Sequence, residues 1–395
     1  MSFSAFVSWS QELLKYDFGF GHPMAPLRLD LTMRLSKELG LTDKPGVRLV
    51  ESAVASDAAL ELVHTPGYIA AVKAAGDFDQ PDAARGLGTE DNPSFPGMHD
   101  AAARMTQGTV DGALEVWTGA CDHALNLSGG MHHALADGAS GFCIYNNAAV
   151  AITQLLERGA QRVMYIDIDA HHGDGVEQVF WNDPRVLTFS IHQSGASLFP
   201  GTGFPKEVGG PNALGTAVNL ALPAKTESAG WLRALDAVLE DVVRGFEPEI
   251  IISQHGCDSH GLDVLSDLHV SVGAQRQAAE LIHDLAHRYC HGKWVALGGG
   301  GYSVIDVVPL VWTHLLAIVT HQELDLDEPT PPSWRQFVRE YADHTPPGTM
   351  ADCHGTPSFK PWTSGFDPHS EVDRAIRATR QACLPLLGVD VSFEV

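Results

Sequence analysis

The stretch Tyr165 to Gln178, YIDIDAHHGDGVEQ, carries Asp167, Asp169, His171, His172, Asp174 and Glu177 at the end of the apolar run VMYI. Carboxylates and imidazoles at this density are the donors of a divalent-cation site or the partners of a proton relay. Side chains alternate faces along an extended chain, so Asp167, Asp169 and His171 are expected to point the same way. Two carboxylates and one neutral imidazole would neutralise a 2+ ion and leave positions open for water. Asp258, in HGCDSHGLD, would complete such a set. Three carboxylates packed together without a cation would repel strongly. A solvated loop or an ion-pair network is the plain alternative for this motif taken alone.

Two further segments carry chemistry. His132 and His133 are adjacent in SGGMHHALADG. Paired imidazoles suit a site that needs one proton acceptor and one charge stabiliser. Asp167 and Asp174 are candidate orienters, since a working imidazole has its second nitrogen fixed by a carboxylate. Gly298 to Gly301 allow close backbone approach and place Tyr302 just beyond them. A phenol there can donate to a developing oxyanion. No Gly-Lys-Ser/Thr follows this glycine run, so it is not a phosphate-binding loop of that type.

The elements that must position these groups are short apolar runs at 123–127, 162–168, 185–191, 249–253 and 293–297. They read as buried parallel strands. Four of them lead directly into a chemistry-bearing segment. Helical periodicity lies between most of them, clearest over 226–246, where Trp231, Leu232, Leu235, Val238, Leu239, Val242 and Phe246 fall on one face. Helices are also expected near 100–118, 146–158, 272–291 and 304–320. The alternation predicts an α/β fold: a single open, mostly parallel sheet with helices on both faces. Ligands bind such sheets at the carboxyl ends of the strands, so the loops should converge on one pocket. We read residues 1–395 as one domain, with 323–368 as irregular chain wrapped on the surface and 369–395 as a helix and tail. That helix opens with the capping spacing Ser370-x-x-Asp373.

Composition narrows the function. The chain is 44% hydrophobic and 19% charged, enough for a large core, with a formal net charge of −24. That charge argues against a nucleic-acid surface, which needs clustered Lys and Arg. The six cysteines, Cys121, Cys143, Cys257, Cys290, Cys353 and Cys383, form no Cys-x-x-Cys and are widely spaced. They read as reduced thiols of a cytoplasmic protein. No signal peptide and no membrane span is visible.

Taken in order, SGGMHHA, GFCIYNN, YIDIDAHHGDGVEQVF, FPGTG, GCD and LGGGGY resemble the zinc-dependent histone deacetylase superfamily, with its arginase/deacetylase-like fold. The likeness is greatest to its bacterial acetoin-utilisation-type members, and it runs from GHPMAPLR (21–28) to about residue 320. It implies Asp169, His171 and Asp258 as ligands of Zn2+, with Fe2+ as an alternative. It implies His133 as general base and acid oriented by Asp174, His132 as its electrostatic partner oriented by Asp167, and Tyr302 as the group that polarises the acyl carbonyl. Phe142 and Phe199 would flank the acyl-lysine methylenes, with Gly141 offering a carbonyl, Asp91 gripping the substrate backbone at the rim and Leu265 at the mouth. Structural K+ would use Asp167, Asp169, His171, Ser190 and Ile191, and a second K+ Phe180, Asp183 and Val186. Met131 and Val264 depart from residues common in the family, aromatic or Leu and Pro respectively, and both lie beside the site.

The resulting expectation is a deacetylase acting on N-ε-acetyl-lysine in proteins. The alternatives are an acetylpolyamine amidohydrolase, an arginase-type ureohydrolase with two metal ions, and a silent acyl-lysine binder. The ureohydrolase would want a second Asp-x-Asp cluster, where this chain has only Asp258, His260 and Asp263.

Overall fold

A computed structural model describes residues 3–352 and 356–391. Its centre is one sheet of eight strands: β1 (Ala5–Ser8), β2 (Val47–Val50), β3 (His123–Asn126), β4 (Val163–Asp167), β5 (Val186–Gln193), β6 (Ala217–Leu222), β7 (Ile250–Gln254) and β8 (Trp294–Leu297). The order across the sheet is β2-β1-β3-β8-β7-β4-β5-β6. Every pairing is parallel, so the sheet is wholly rather than mostly parallel. The five strands read from the sequence are all present, to within two residues at each end.

Among the described residues eleven α-helices connect and cover them: α1 (Leu27–Glu38), α2 (Asp57–Leu60), α3 (Pro66–Phe78), α4 (Met98–Thr118), α5 (Asn147–Glu157), α6 (Asp174–Phe180), α7 (Ser228–Phe246), α8 (Val272–Tyr289), α9 (Val308–Val319), α10 (Pro332–Ala342) and α11 (Glu371–Cys383). The pleat divides the strand side chains between two layers. Met164 and Ile166 of β4 join a core with α1, α7, α8 and α9. Val163 and Tyr165 join the opposite core with α4, α5 and α6. Burial on both faces is why these strands read as continuous apolar runs. The apolar face expected over 226–246 is the buried face of α7.

The segment 323–368 is not irregular throughout, because it contains α10. Pro331 and Pro332 read as breakers, yet proline is well placed in the first turn of a helix, where its missing N–H costs nothing. Trp334 and Val338, four apart, are fully buried, and the Trp334 indole donates to the carbonyl of Leu31 on α1 at 3.0 Å. Helix α11 starts as its capping spacing suggests, with Ser370 Oγ accepting from the Asp373 N–H at 3.1 Å. Residues 392–395 of the expected tail and Cys353 lie outside the described residues. The other five cysteines are buried free thiols. Among the described residues no helix is long and apolar enough to cross a membrane.

Candidate active site

Strand register brings the chemistry together. Asp167 ends β4 opposite Gln254 of β7, Gln254 lies opposite Leu297 of β8, and Leu297 opposite Asn126 of β3. The four loops that follow therefore leave the sheet side by side at its carboxyl edge, where open parallel sheets bind ligands.

Asp169, His171 and Asp258 converge, each offering a ligand atom within 4.8 Å of the others. His171 Nδ1 lies 3.1 Å from Asp169 Oδ1 and 2.9 Å from Asp258 Oδ2. All three are buried. Burial and the nearby Asp169 push the Asp258 carboxyl up to about 7. Burial works the same way on Asp169, but His132 and His171 hold it well below the usual range. Burial opposes protonation of His171, yet the two carboxylates overcome it and raise its pKa well above the ordinary value. A buried pair of acids around one imidazole is the donor set of a divalent cation, so the residues fit a metal. The glycines make room for it. A Cβ on Gly256 would meet Asp169 Oδ2 at 1.9 Å, and one on Gly300 would meet Asp258 Oδ2 at 2.2 Å.

The two histidines are adjacent rings, 4.0 Å between centroids, each with its own acid. His132 Nδ1 donates to Asp167 Oδ2 at 2.8 Å and His133 Nδ1 to Asp174 Oδ1 at 2.6 Å. Their environments separate them. Burial opposes the charge on His132, but Asp167, Asp169 and Asp174 outweigh it and raise its pKa to about 9. Burial and the neighbouring His132 lower His133 to about 4 against the pull of Asp174. The acids around His132 thus favour its charged form, while burial and His132 favour the neutral form of His133, whose Nε2 can accept a proton.

A cavity of about 240 Å³ reaches this centre from the surface, lined by Asp91, His133, Gly141, Phe142, His171, Leu198, Phe199, Leu265 and Tyr302. Phe142 sits edge-on to Tyr302 at 5.6 Å, and Phe199 edge-on to His133 at 5.0 Å. Gly141 and Phe142 both have positive φ, +50° and +67°. Tyr16 Oη holds that turn by donating to the Phe142 carbonyl at 2.7 Å. A Cβ on Gly141 would lie 2.5 Å from the His133 ring.

Of the expected metal, catalytic and substrate residues, all meet at this pocket or directly behind it. His172 and Glu177, from the same motif, turn away. His172 pairs with Thr202 at 2.8 Å and Glu177 at 3.2 Å, and Glu177 also accepts from Asn219. For K+, Ser190 lies opposite Asp167 in the β4–β5 register with Ile191 next to it. Phe180, Asp183 and Val186 share one turn, whose carboxylate already binds Arg185 at 2.9 Å.

The roles of three contributors escaped the sequence reading, which named Asp263 only as a weak second-metal candidate. Gln254 Nε2 donates to Asp169 Oδ2 at 2.7 Å, and its position just before HGCD at a strand end was a usable signal. Asp263 accepts from the Tyr302 N–H at 2.7 Å and the Ser303 N–H at 3.3 Å. Buried Arg28 donates to the carbonyls of Gly299 and Gly301 at 2.8 and 3.3 Å, fixing the glycine run.

Comparisons agree with this architecture. The histone deacetylase domain family matches residues 22–319. The acetoin utilization protein AcuC of Bacillus subtilis (strain 168) is 42% identical over 334 residues, covering 84% of this chain and 85% of that protein. Its namesake in Staphylococcus xylosus is 36% identical over 351 residues, covering 87% and 89%. The crystal structure of an HDAC homolog from Aquifex aeolicus superposes with a TM-score of 0.83 at 30% identity, over 95% of this chain and 100% of that one. An HDAC homolog complexed with SAHA gives 0.83 at 29% identity, over 96% and 100%. The chain belongs to the histone deacetylase family, as a deacetylase of the bacterial acetoin-utilisation type.

Proposed function

We propose that this deacetylase hydrolyses the acetyl amide of N-ε-acetyl-lysine in proteins, with Zn2+ held by Asp169, His171 and Asp258. The observation that carries the reading is the slot between Phe142 and Phe199, which ends on His133, Tyr302 and the Asp169–His171–Asp258 set. An unbranched, uncharged acyl-lysine stem matches such a slot, and Asp91 at its rim can accept from a peptide N–H. Fe2+ suits the same oxygen-rich donors. When bound, the ion supplies Lewis acidity toward the acyl carbonyl.

The chain's own groups supply the rest. His133 Nε2 takes a proton from the attacking water, while Asp174 keeps Nδ1 protonated and the ring in place. The Tyr302 hydroxyl donates to the developing oxyanion. Its pKa is held well above the usual phenol value by burial and by Asp258 and Asp169, so it stays a donor. His132, cationic beside Asp167, offsets the growing negative charge. His133 then protonates the departing amine, leaving acetate and lysine. Structural K+ at the Asp167–Ser190 region belongs to the same reading, and at the 180–186 turn it would rely on main-chain oxygens. The buried free thiols support a reducing compartment, and we place the reaction in the cytoplasm.

The test compares kcat/KM for an acetyl-lysine peptide with that for N-acetylspermidine at fixed salt. Leu265 itself offers an apolar surface and no charge at the mouth, and Asp91 can accept from a peptide N–H, so the peptide should win. A tenfold preference for the polyamine, about 1.4 kcal/mol at the transition state, would sink the substrate assignment. Chelation should abolish turnover, and Zn2+ or Fe2+ should restore it.

A further inference from the structure

Four histidines meet at the opposite edge of the sheet. His123 opens β3, whose other end leads to the active-site loop. His283 and His287 lie four apart on α8 and so share a face. His321 follows α9 after one residue, with φ +52°. One nitrogen from each ring lies within 4.8 Å of the others. Ring centroids are 5.0, 5.1 and 4.9 Å from His123 to His283, His287 and His321. The remaining three pairs are 4.5, 4.9 and 5.4 Å apart. Four imidazoles around one ion at the usual metal–nitrogen distance of 2.0–2.1 Å have centroids roughly 5 Å apart in a tetrahedron.

Hydrogen bonding leaves this cluster unsatisfied. His283 Nε2 faces both His321 Nε2 at 2.8 Å and His287 Nε2 at 3.0 Å. One nitrogen carries either a proton or a lone pair, so it cannot serve both partners well. His123 is fully buried. Its Nδ1 donates to the Val319 carbonyl at 2.9 Å, which assigns the lone pair to Nε2. That Nε2 has no hydrogen-bond partner among the described residues. A ring N–H given to a backbone carbonyl is the arrangement that orients metal-binding histidines. The surroundings are aromatic. Phe3 stacks on His321 at 4.0 Å, and Trp294 packs against His123 and His283 at 5.5 and 5.4 Å.

We propose that His123, His283, His287 and His321 form a second metal site, structural and distinct from the active site, for a first-row divalent transition ion with the coordination habits of Zn2+. A bound ion satisfies the orphaned lone pair and the overcommitted His283 nitrogen together. It ties the start of β3, the last turns of α8 and the exit of α9 into one clamp. Three of the rings are suited to act as neutral ligands at pH 7. Burial and the other imidazoles hold His123 down to about 3 and His283 to about 4, and burial lowers His321.

The test uses Zn2+ alone on the full chain. Wild type, His283→Gln/His287→Gln and, separately, His321→Gln are loaded with Zn2+, freed of loose metal by gel filtration and assayed for zinc per chain. Wild type should hold one equivalent more than either variant, while all three deacetylate an acetyl-lysine peptide at the same rate. Zn2+ should raise the Tm of wild type by more than that of the variants. These three positions are on the surface or half-buried, so the variants should fold. Equal zinc content in wild type and variants would overturn the proposal and leave the active-site reading untouched.

Discussion

Tyr302 is placed by a residue outside the lining of the cavity. The Asp263 carboxylate accepts the backbone N–H groups of Tyr302, Ser303 and Leu265, the last at 3.0 Å. It thereby fixes both the phenol and the mouth residue. Tyr302→Phe should lower kcat by roughly 100- to 1,000-fold, the scale of one oxyanion donor. Asp263→Ala should lower kcat in the same direction but add little in the Tyr302→Phe background, since both changes act on one group. Bound metal should be unchanged in both variants by elemental analysis. Full additivity of the two effects would assign Asp263 another role. His133→Ala should cost roughly 100- to 10,000-fold, as for loss of general acid–base catalysis. The metal donors and the orienting acids Asp167 and Asp174 were legible as candidates because imidazoles and carboxylates announce themselves by type, while the matching of each acid to its histidine came from the family resemblance. The roles of Asp263 and Arg28 were not legible, because each residue acts on main-chain atoms, and a loop's path over the surface leaves no mark in residue type.

At the scale of elements, His64 fastens the active-site loop to α5. Its Nδ1 donates to the Leu135 carbonyl, and its Nε2 accepts the Asn146 N–H, both at 3.0 Å. Protonation would turn that acceptor into a second donor facing an N–H. Burial accordingly lowers its pKa to about 4. The unfolded chain takes up the proton first as pH falls. The stability His64 contributes is therefore complete above about pH 6.5 and is lost as pH drops toward 4, a loss of about 3 kcal/mol at most. In chemical denaturation, His64→Gln should flatten the decline between pH 7 and 5. Helix α10 has a parallel test. Trp334→Ala should destabilise by ~3–5 kcal/mol, the range for a buried aromatic, with kcat retained. Strands β1, β2 and β6 escaped the sequence reading for identifiable reasons. AFVS and VRLV are four residues each, β2 is a part-exposed edge, and AVNLAL carries a mid-strand asparagine. Asn219 belongs there because it donates to Glu177 and to the Glu207 carbonyl, partners far away in sequence.

For the whole molecule, the C-terminal region is a cover. Helix α11 lies along the edge strand β6, with Thr379 Oγ1 donating to the Asn219 carbonyl at 2.7 Å. It is fixed to α7 by Arg233–Asp373 at 2.8 Å and Arg380–Asp241 at 2.9 Å. Removing residues 366–395 should expose that edge and the apolar side of α7, a template for aggregation. The shortened chain should appear largely in the pellet after expression, and a soluble, active product would refute this. The net charge of −24 has its own signature. It should speed encounter with cationic peptides at low salt, so kcat/KM should fall as ionic strength rises while kcat holds. The strand order carries a consequence in time. β8 is the last strand among the described residues, yet it sits inside the sheet between β3 and β7. Until β8 is made, β3 and β7 each lack the neighbour that covers their inner edge in the finished sheet. Neither edge can close until Trp294–Leu297 emerges, and Tyr302 comes out only five residues later. The catalytic centre is therefore born all at once, near the end of synthesis, and until then the nascent chain depends on whatever shields its two open edges.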